Sequence, residues 1–552
     1  MSMTGAQLLV SCLKKLGVDR AFGVPGESYL SVLDALHDVA EIQFITCRHE
    51  SGATFMAEAD GKLTGRPGIA FVTRGPGATN ASIAVHTAQQ DSTPLILFVG
   101  QIASHMRGRE AFQEMDYQAV FGSMAKWVAE IEDAERIPEM LSRAFHTAQN
   151  GRPGPVVLAL PEDMQSQVVE QSVELSPVSL AQPSASATEV AEVAHDLQQA
   201  QRPLVIVGGG RWSRDAAETL SSFATHAGLP VVTEFRCQDF LDNNSPCFVG
   251  DMGLGIAPYL ADAISKSDVV LALGARLGEV PTQGYSLLDV PVPHQRLIHV
   301  LPEPSELGRV YQPKRGILAD PMRFLEQLSE AMDAKVAGRA RMEELRSLWA
   351  KSRVFPPAPG VLDLAKVIQH INELCGEQAI VTNGAGNYTV WVHKQFLYRQ
   401  FKSQLAPVSG VMGYGVPASV AAALRHPDRP VVCFAGDGCF LMTGQELATA
   451  VRYQLKIVFI VVNNGMYGTI RMHQERAFPG RVSGTDLTNP DFAAYAKSFG
   501  ADGFVVEATE AFATAFQKAR AADGPAVIEL RVDPEALTPR QSLSAIREAA
   551  LG

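Results

Sequence analysis

The residues best equipped for chemistry lie between positions 436 and 464: Gly436-Asp437-Gly438, a helix-length interval, then Asn463-Asn464. An apolar run, Val431-Val432-Cys433-Phe434-Ala435, leads into the first motif. A helix-like stretch from Gln445 to Tyr453 follows, and a second apolar run, Lys456 to Val462, ends on the asparagines. This is the pattern of one βαβ unit, whose right-handed crossover opens both carboxyl strand ends into one crevice. A carboxylate, an amide oxygen and loop carbonyls gathered there suit a hard Mg²⁺, which shares its shell readily with phosphates. Each half alone reads more simply, as a turn after a strand and as a strand terminator. Together, at matched strand ends, they predict a diphosphate–metal anchor.

A second group lies near the amino terminus. Glu50 follows a strand predicted over Ile42–Thr46 and opens a small-residue helix, Ser51–Lys62. Standing alone, such a glutamate would be a helix-dipole partner. It is accompanied by Val24-Pro25-Gly26 and by Gly75-Pro76-Gly77-Ala78-Thr79-Asn80, a loop whose glycines let a flat ring approach the backbone. Two further loops are glycine-rich, and the first has the composition of a phosphate cradle. Thr382–Tyr388, which contains Gly386 and Asn387, follows a strand at Ala379–Val381, and Ser409-Gly410-Val411-Met412-Gly413 precedes a helix. Taken singly, these read as a plain turn and as a core methionine at a helix start.

These groups need elements to position them, and the chain supplies three αβ-rich blocks. The first alternates strand-like runs (Ile42–Thr46, Gly68–Val72, Pro94–Val99, Val156–Leu160) with helical segments, as a parallel sheet covered on both faces does. Gln171–Ala187 is a Ser-, Pro- and Val-rich linker. The second block opens at Pro203 with strands at Pro230–Thr233, Val269–Leu273 and Leu297–Val300, and ends near residue 330. A charged helical stretch, Ala331–Lys351, and the Pro-rich segment Phe355–Pro359 precede the third block, which finishes on strand Ala526–Arg531 and a helix-prone tail lying over the site. No short repeat is present, but the first and third blocks share a plan, as a duplicated sheet domain would.

With 552 residues, 46% hydrophobic and 19% charged, the chain reads as a globular enzyme of several domains. A net charge of −12 disfavours nucleic acid and anionic membranes. No apolar run approaches the roughly 18 residues that span a bilayer. No signal-type core follows Lys14-Lys15, and seven scattered cysteines without a CxxC pair read as reduced thiols. The expectation is a cytoplasmic protein.

Taken together, the motifs resemble those of thiamine diphosphate (ThDP) enzymes, and Arg48-His49-Glu50 followed by Gly75–Asn80 is the pattern of the acetolactate synthase-like family. The resemblance implies an α/β fold of three doubly wound parallel-sheet domains: pyrimidine-binding (1–170), middle (188–330) and diphosphate-binding with a tail (361–552). It implies that Glu50 hydrogen-bonds the pyrimidine ring of ThDP, within a pocket bordered by Val24, Pro25, Gly26, Pro76 and Asn80. Asp437 and Asn464 would ligate Mg²⁺ by side chain and Met466 by its carbonyl, in a loop continuing through Tyr467, Gly468 and Thr469. Gly386, Asn387 and Tyr388 would cap the diphosphate, Gly436 and Gly438 would also border the cofactor, and Cys439 would pack near the diphosphate. Gly410 and Met412 would support the bent cofactor. Tyr388 stands where the family usually has histidine, and Cys439 where it has serine. Phe112 and Gln113, in a segment similar to the family's DAFQE loop, would face the active site of a neighbouring subunit. A homodimer is then the smallest active unit, and a homotetramer is common among relatives.

Two regions depart from the family. Gly208-Gly209-Gly210 suggests the dinucleotide loop where acetolactate synthases bind FAD, but it is not G-x-G-x-x-G. His299-Val300-Leu301-Pro302-Glu303 and the stretch after Gly274-Ala275-Arg276 lack the family's aspartates. FAD, an ADP-type ligand and an empty site stay open. In the other region His473 replaces a tryptophan associated with choice of the second substrate and Thr469 a methionine, which makes that pocket more polar. His473 is therefore an acid–base or carboxylate-binding candidate beside the reading as a structural histidine. The expected activity is decarboxylation of a 2-oxo acid such as pyruvate with transfer to an acceptor carbonyl. The alternatives are an aldehyde-releasing decarboxylase or C–C lyase, a flavin-linked 2-oxo acid oxidase, and a noncatalytic ThDP-binding protein.

Overall fold

The computed structural model describes residues 2–170, 174–332 and 338–552. Three six-stranded parallel sheets carry the molecule. The strands at their centres are near-continuous apolar runs such as Leu95–Gln101, Val269–Leu273 and Ile457–Asn463, buried because helices cover both faces.

In the first sheet the strands order spatially as Gln43–Thr46, Arg20–Gly23, Gly68–Val72, Leu95–Gln101, Pro155–Pro161, Trp127–Glu130. The third runs Gln404–Leu405, Ile380–Asn383, Val431–Gly436, Ile457–Asn463, Ala526–Arg531, Asp502–Val506. In sequence rank both read 2-1-3-4-6-5, the shared plan expected of a duplicated domain. The middle sheet differs: Phe248–Met252, Val231–Glu234, Pro203–Val207, Val269–Leu273, Arg296–Leu301, Arg315–Leu318, or 3-2-1-4-5-6, the order of dinucleotide-binding sheets.

The predicted βαβ unit is present. Val431–Gly436 pairs in parallel with Ile457–Asn463, with Ala435 opposite Val461 and Gly436 opposite Val462. The stretch between them is broken, with a short helix Asp437–Leu441, a 3₁₀ turn Gly444–Glu446 and a helix Leu447–Arg452. Part of the Gln171–Ala187 linker (171–173) and part of the Ala331–Lys351 stretch (333–337) lie outside the described residues. The remainder forms irregular chain up to the helix Ala187–Gln199, and a helix Arg339–Ser352. A pairing too short to read from sequence joins Ser2–Thr4 antiparallel to Val168–Glu170, tying the two ends of the first domain together.

The first and third domains share one core. Helix Glu50–Thr64 packs against helix Gly415–Arg425, and both are rich in Gly and Ala, which lets backbones approach closely. A Cβ on Gly52 would collide with the Glu446 carboxylate. Phe55 meets Tyr414 edge-on, with ring centroids 5.5 Å apart. The Tyr414 hydroxyl donates to the buried Glu58 across the same seam at 2.6 Å.

Candidate active site

In an open parallel sheet, ligands gather where the strand order reverses, at the carboxyl ends of the two diverging strands. In the third sheet this point falls between Ile380–Asn383 and Val431–Gly436, so the loops Gly384–Asn387 and Gly436-Asp437-Gly438 emerge side by side. In the first sheet it falls between Arg20–Gly23 and Gly68–Val72, from which Val24-Pro25-Gly26 and Thr73–Gly77 emerge. The predicted motifs thus occupy equivalent places in two related domains.

Asp437 is the first residue of its short helix and is buried. Its Oδ1 accepts from the Gly438 N–H at 2.9 Å, and its Oδ2 from the Gly465 N–H at 2.9 Å and the Asn489 amide at 2.8 Å. Burial pushes this carboxyl above the usual aspartate range, and among the described residues its partners are neutral N–H groups, with no ion pair. A buried carboxylate without a counter-ion is costly unless a cation binds it. Asn464 lies in the following turn, its Oδ1 accepting from the Met466 N–H at 3.2 Å. The loop is zipped to residues 485–487 by Tyr467 N–H to Thr485 and Leu487 N–H to Gly465, both 2.9 Å, so the Met466 carbonyl takes part in neither bond. Among the described residues no group of three or more His, Cys, Asp or Glu could hold a metal. A cation here would therefore rely on one carboxylate, an amide oxygen, a carbonyl and ligand oxygens, a donor set suited to Mg²⁺.

Tyr388 and Cys439 tie the cradle loops together from below. The Tyr388 hydroxyl accepts from the Gly384 N–H at 3.2 Å and faces the Cys439 sulfur at 3.7 Å, and that sulfur accepts from the Gly413 N–H at 3.2 Å. The Tyr388 ring would lie 2.8 Å from a Cβ on Gly386, a residue at φ +144°, and 3.3 Å from one on Gly436. Gly438 is closed in likewise by the Tyr467 ring, which would lie 2.5 Å from a Cβ there. By contrast, a Cβ on Gly410 (φ +66°) would meet nothing within 4 Å, which leaves the backbone beside Met412 open. Asn387 accepts from the Thr469 hydroxyl at 2.9 Å, and Gly468 packs against Leu537 of the tail and the Asn464 amide.

In the first domain the structure brings Glu50 and Asn80 together: the Asn80 amide donates to Glu50 Oε2 at 2.9 Å. Glu50 opens its helix behind His49, whose ring nitrogen accepts from the Ser51 N–H. Gly77, next to Pro76, faces Glu50, and Gly26 packs on Thr73. The Val24 carbonyl accepts from the buried Tyr29 hydroxyl, which fixes the Val24-Pro25-Gly26 turn. Gln113, at φ +64°, gives its carbonyl to the Gly75 N–H at 3.3 Å, so the Phe112–Gln113 segment rests on the Gly-Pro-Gly loop. Phe112 itself is 75% exposed, with the Arg74 guanidinium 6.0 Å from its ring.

No hydrogen bond among the described residues joins the Glu50 group to the Asp437 group. His473 is exposed on helix Gly468–Ala477 and makes no side-chain hydrogen bond among the described residues. Two residues at these groups went unrecognised in the sequence. Asn489 holds both Asp437 and Asn463, the latter at 2.9 Å, from a loop with no motif of its own. Glu446, fully buried, accepts from the N–H groups of Arg48 (3.1 Å) and His49 (2.9 Å) and from the Thr449 hydroxyl (2.6 Å). The third domain thereby fixes the chain immediately before Glu50. Glu446→Ala would take the acceptor from the Arg48 and His49 N–H groups and from the buried Thr449 hydroxyl, at about 1–3 kcal/mol for the buried donor. The expected result is a drop of that size in urea-unfolding stability, and an unchanged midpoint would contradict this role.

The tail docks on helix Gly468–Ala477 through Leu537, Leu543, Ile546 and Met472. Arg547 grips Glu475 with two bonds of 2.8 Å, and Arg471 adds a third at 3.0 Å. The Arg547 bonds lead the causes that hold the Glu475 carboxyl down at about 2. A depressed carboxyl stabilises the fold above the ordinary glutamate range and loses that contribution as pH falls towards its native value. Arg547→Met should therefore lower Tm near neutrality, and the gap from wild type should close in acid. A gap independent of pH would show that the pair is not its source.

Comparison with known proteins agrees with this geometry. Three segments match parts of one family: residues 3–120 match Thiamine pyrophosphate enzyme, N-terminal TPP binding domain, residues 190–328 its central domain, and residues 384–530 its C-terminal TPP binding domain. The chain is 34% identical over 549 residues to the acetolactate synthase large subunit of Parasynechococcus marenigrum (strain WH8102), covering 96% of this chain and 88% of that protein. It is 32% identical over 541 residues to the acetolactate synthase isozyme 1 large subunit of Escherichia coli (strain K12), covering 96% and 94%. To the corresponding large subunit of Corynebacterium glutamicum it is 32% identical over 554 residues, covering 97% and 87%. With matching domains along its length and relatives this similar over nearly all of it, the chain belongs to the acetolactate synthase-like family of thiamine diphosphate-dependent enzymes.

Proposed function

We propose that the chain binds ThDP with Mg²⁺, decarboxylates a 2-oxo acid such as pyruvate and joins the remaining fragment to an acceptor carbonyl, as an acetolactate synthase does. The observation that carries this reading is the buried Asp437 carboxylate, without an ion pair among the described residues and close to Asn464 and the Met466 carbonyl, together with the Glu50–Asn80 pair at the equivalent place in the first domain. Asp437, Asn464 and Met466 would hold the cation. Gly386, Asn387, Gly436 and Gly438 offer close backbone to a diphosphate. Gly410 and Met412 support the cofactor's middle, and Val24, Pro25, Gly26, Pro76 and Asn80 border its ring. When bound, ThDP supplies the sink for the electron pair left by loss of CO₂. Glu50 holds and returns a proton at the ring end, its carboxyl oriented by Asn80. Phe112, Gln113 and His473 face the substrate side, where polar groups discriminate most strongly among acceptors.

The working unit in this reading is a homodimer, with Glu50 of one copy facing Asp437 of the other, built from domains 1–170, 188–330 and 361–552. Exposed apolar residues beside both groups support it: Phe112 and Ile83 in the first domain, Leu441, Met442 and Ile470 in the third. A second copy of the chain would cover these side chains. The seven free, buried cysteines support a cytoplasmic location. No helix among the described residues is long and apolar enough to cross a membrane.

The test is product analysis by mass spectrometry with ThDP, Mg²⁺ and a panel of 2-oxo acids, alone and with added aldehydes or a second oxo acid. A carboligated product is expected. Free aldehyde as the sole product would replace this reading with that of a decarboxylase or lyase.

A further inference from the structure

The middle sheet has the strand order of dinucleotide-binding domains, and its reversal point lies between Pro203–Val207 and Val269–Leu273. The donors that would greet a nucleotide there are occupied by the chain itself. The backbone N–H groups of Arg276 and Leu277 donate to the Glu234 carboxylate at 3.2 and 2.8 Å. Three guanidinium groups converge on Glu306: Arg276 at 2.9 Å, Arg152 from the first domain at 3.2 Å and Arg309 at 2.7 Å. Glu234 and Glu306 are both buried.

The glycine run has a reason internal to the fold. A Cβ on Gly208 would strike the Glu234 carboxylate, one on Gly209 (φ +83°) the Gly274 carbonyl, and one on Gly210 the Ser92 carbonyl. These glycines let segments of the chain touch each other, which removes the need for a ligand to explain them. The space left among Arg152, Gly209, Arg276 and Glu306 is ≈ 20 Å³. That is room for about one water, against roughly 300–1,000 Å³ for small-molecule sites. Arg211 keeps two buried N–H groups without acceptors, but Asp320 matches its charge at 2.8 Å. Leu301 and Pro302 at the next strand end offer no side-chain acceptor for a ribose, and the Glu303 carboxylate that follows accepts from the Ser305 hydroxyl at 3.0 Å.

The geometry points to a nucleotide cleft plugged from within: Glu234 and Glu306 take the amide and guanidinium donors that the diphosphate of FAD or ADP would need, and the chain works without flavin. A flavin would have to expel two buried carboxylates from their donors before binding. Decarboxylation followed by carboligation is redox-neutral and needs no electron carrier, whereas an oxidase would lack one here. Release of a free aldehyde is redox-neutral too, so a flavin-free chain is compatible with either of those products.

The test uses the full-length protein with ThDP and Mg²⁺. The purified wild type should release no compound absorbing near 450 nm on denaturation, and millimolar FAD or ADP should not shift its Tm. Glu306→Ala, which frees three guanidinium groups, should bind ADP at least about tenfold more tightly than wild type, as read by calorimetry. Glu306→Asp, with its carboxylate drawn back, serves if the alanine variant does not fold. Flavin co-purifying near one per chain, or saturable micromolar binding of FAD to wild type, would overturn the inference. So would Glu306 variants that fold but gain no affinity for ADP.

Discussion

Glu50→Gln should lower turnover by about 10²–10⁴-fold, the range of a lost acid–base group, while ThDP affinity changes only a few-fold. The substitution keeps the side chain's length and leaves an oxygen that can accept from the Asn80 amide, as Glu50 Oε2 does at 2.9 Å. The helix start is held by other groups, the His49 ring on the Ser51 N–H and Glu446 on the Arg48 and His49 N–H groups. The fold and the pocket should therefore survive, and the loss should fall on kcat. Steady-state kinetics paired with a fluorescence titration of ThDP separates the two quantities. Full activity would remove Glu50 from the mechanism. Loss of ThDP binding in equal proportion would make it a binding residue only. Asn80→Ala should reproduce part of the defect, because it frees the carboxylate to rotate while leaving its proton chemistry intact.

The contrast between Glu50 and Glu446 shows what a single chain of letters can reveal. Glu50 could be found because strand, glutamate, small-residue helix and Gly-Pro-Gly loop are consecutive local signals, and the strand-order reversal gathers them at one place. Asp437 and Asn464 were legible for the same reason: parallel strands buried on both faces read as unbroken apolar runs, so their carboxyl ends can be located. Glu446 reaches its partners across almost 400 residues of sequence, and no local pattern distinguishes it from an ordinary helix-start glutamate. Asn489 likewise gains its meaning only from the loop that folds back onto Asp437. The glycine run at 208–210 is ambiguous in the opposite direction. Glycine reports that something comes close, and whether it is a cofactor or the Gly274 carbonyl depends on tertiary structure. The tail was legible as a helix, while its anchor, the Arg547–Glu475 pair, again joins distant segments.

Asp437→Asn should abolish the cofactor-dependent rise in Tm and weaken Mg²⁺–ThDP by at least about 100-fold, or about 3 kcal/mol. The wild-type carboxylate is buried among neutral N–H donors, an arrangement that penalises its charge until a metal arrives. The asparagine side chain is the same size but offers one oxygen where three N–H groups now donate, those of Gly438, Gly465 and Asn489. It supplies no charge for a divalent ion. Because the penalty of a buried anion is also gone, the cofactor-free variant should unfold within a few degrees of the cofactor-free wild type. The two proteins should then diverge only when Mg²⁺ and ThDP are added together, as thermal unfolding with each alone and with both would show. Equal stabilisation of both proteins would place the cation elsewhere. A variant unstable even without ligands would mean that Asp437 serves chiefly to hold the Gly465 loop.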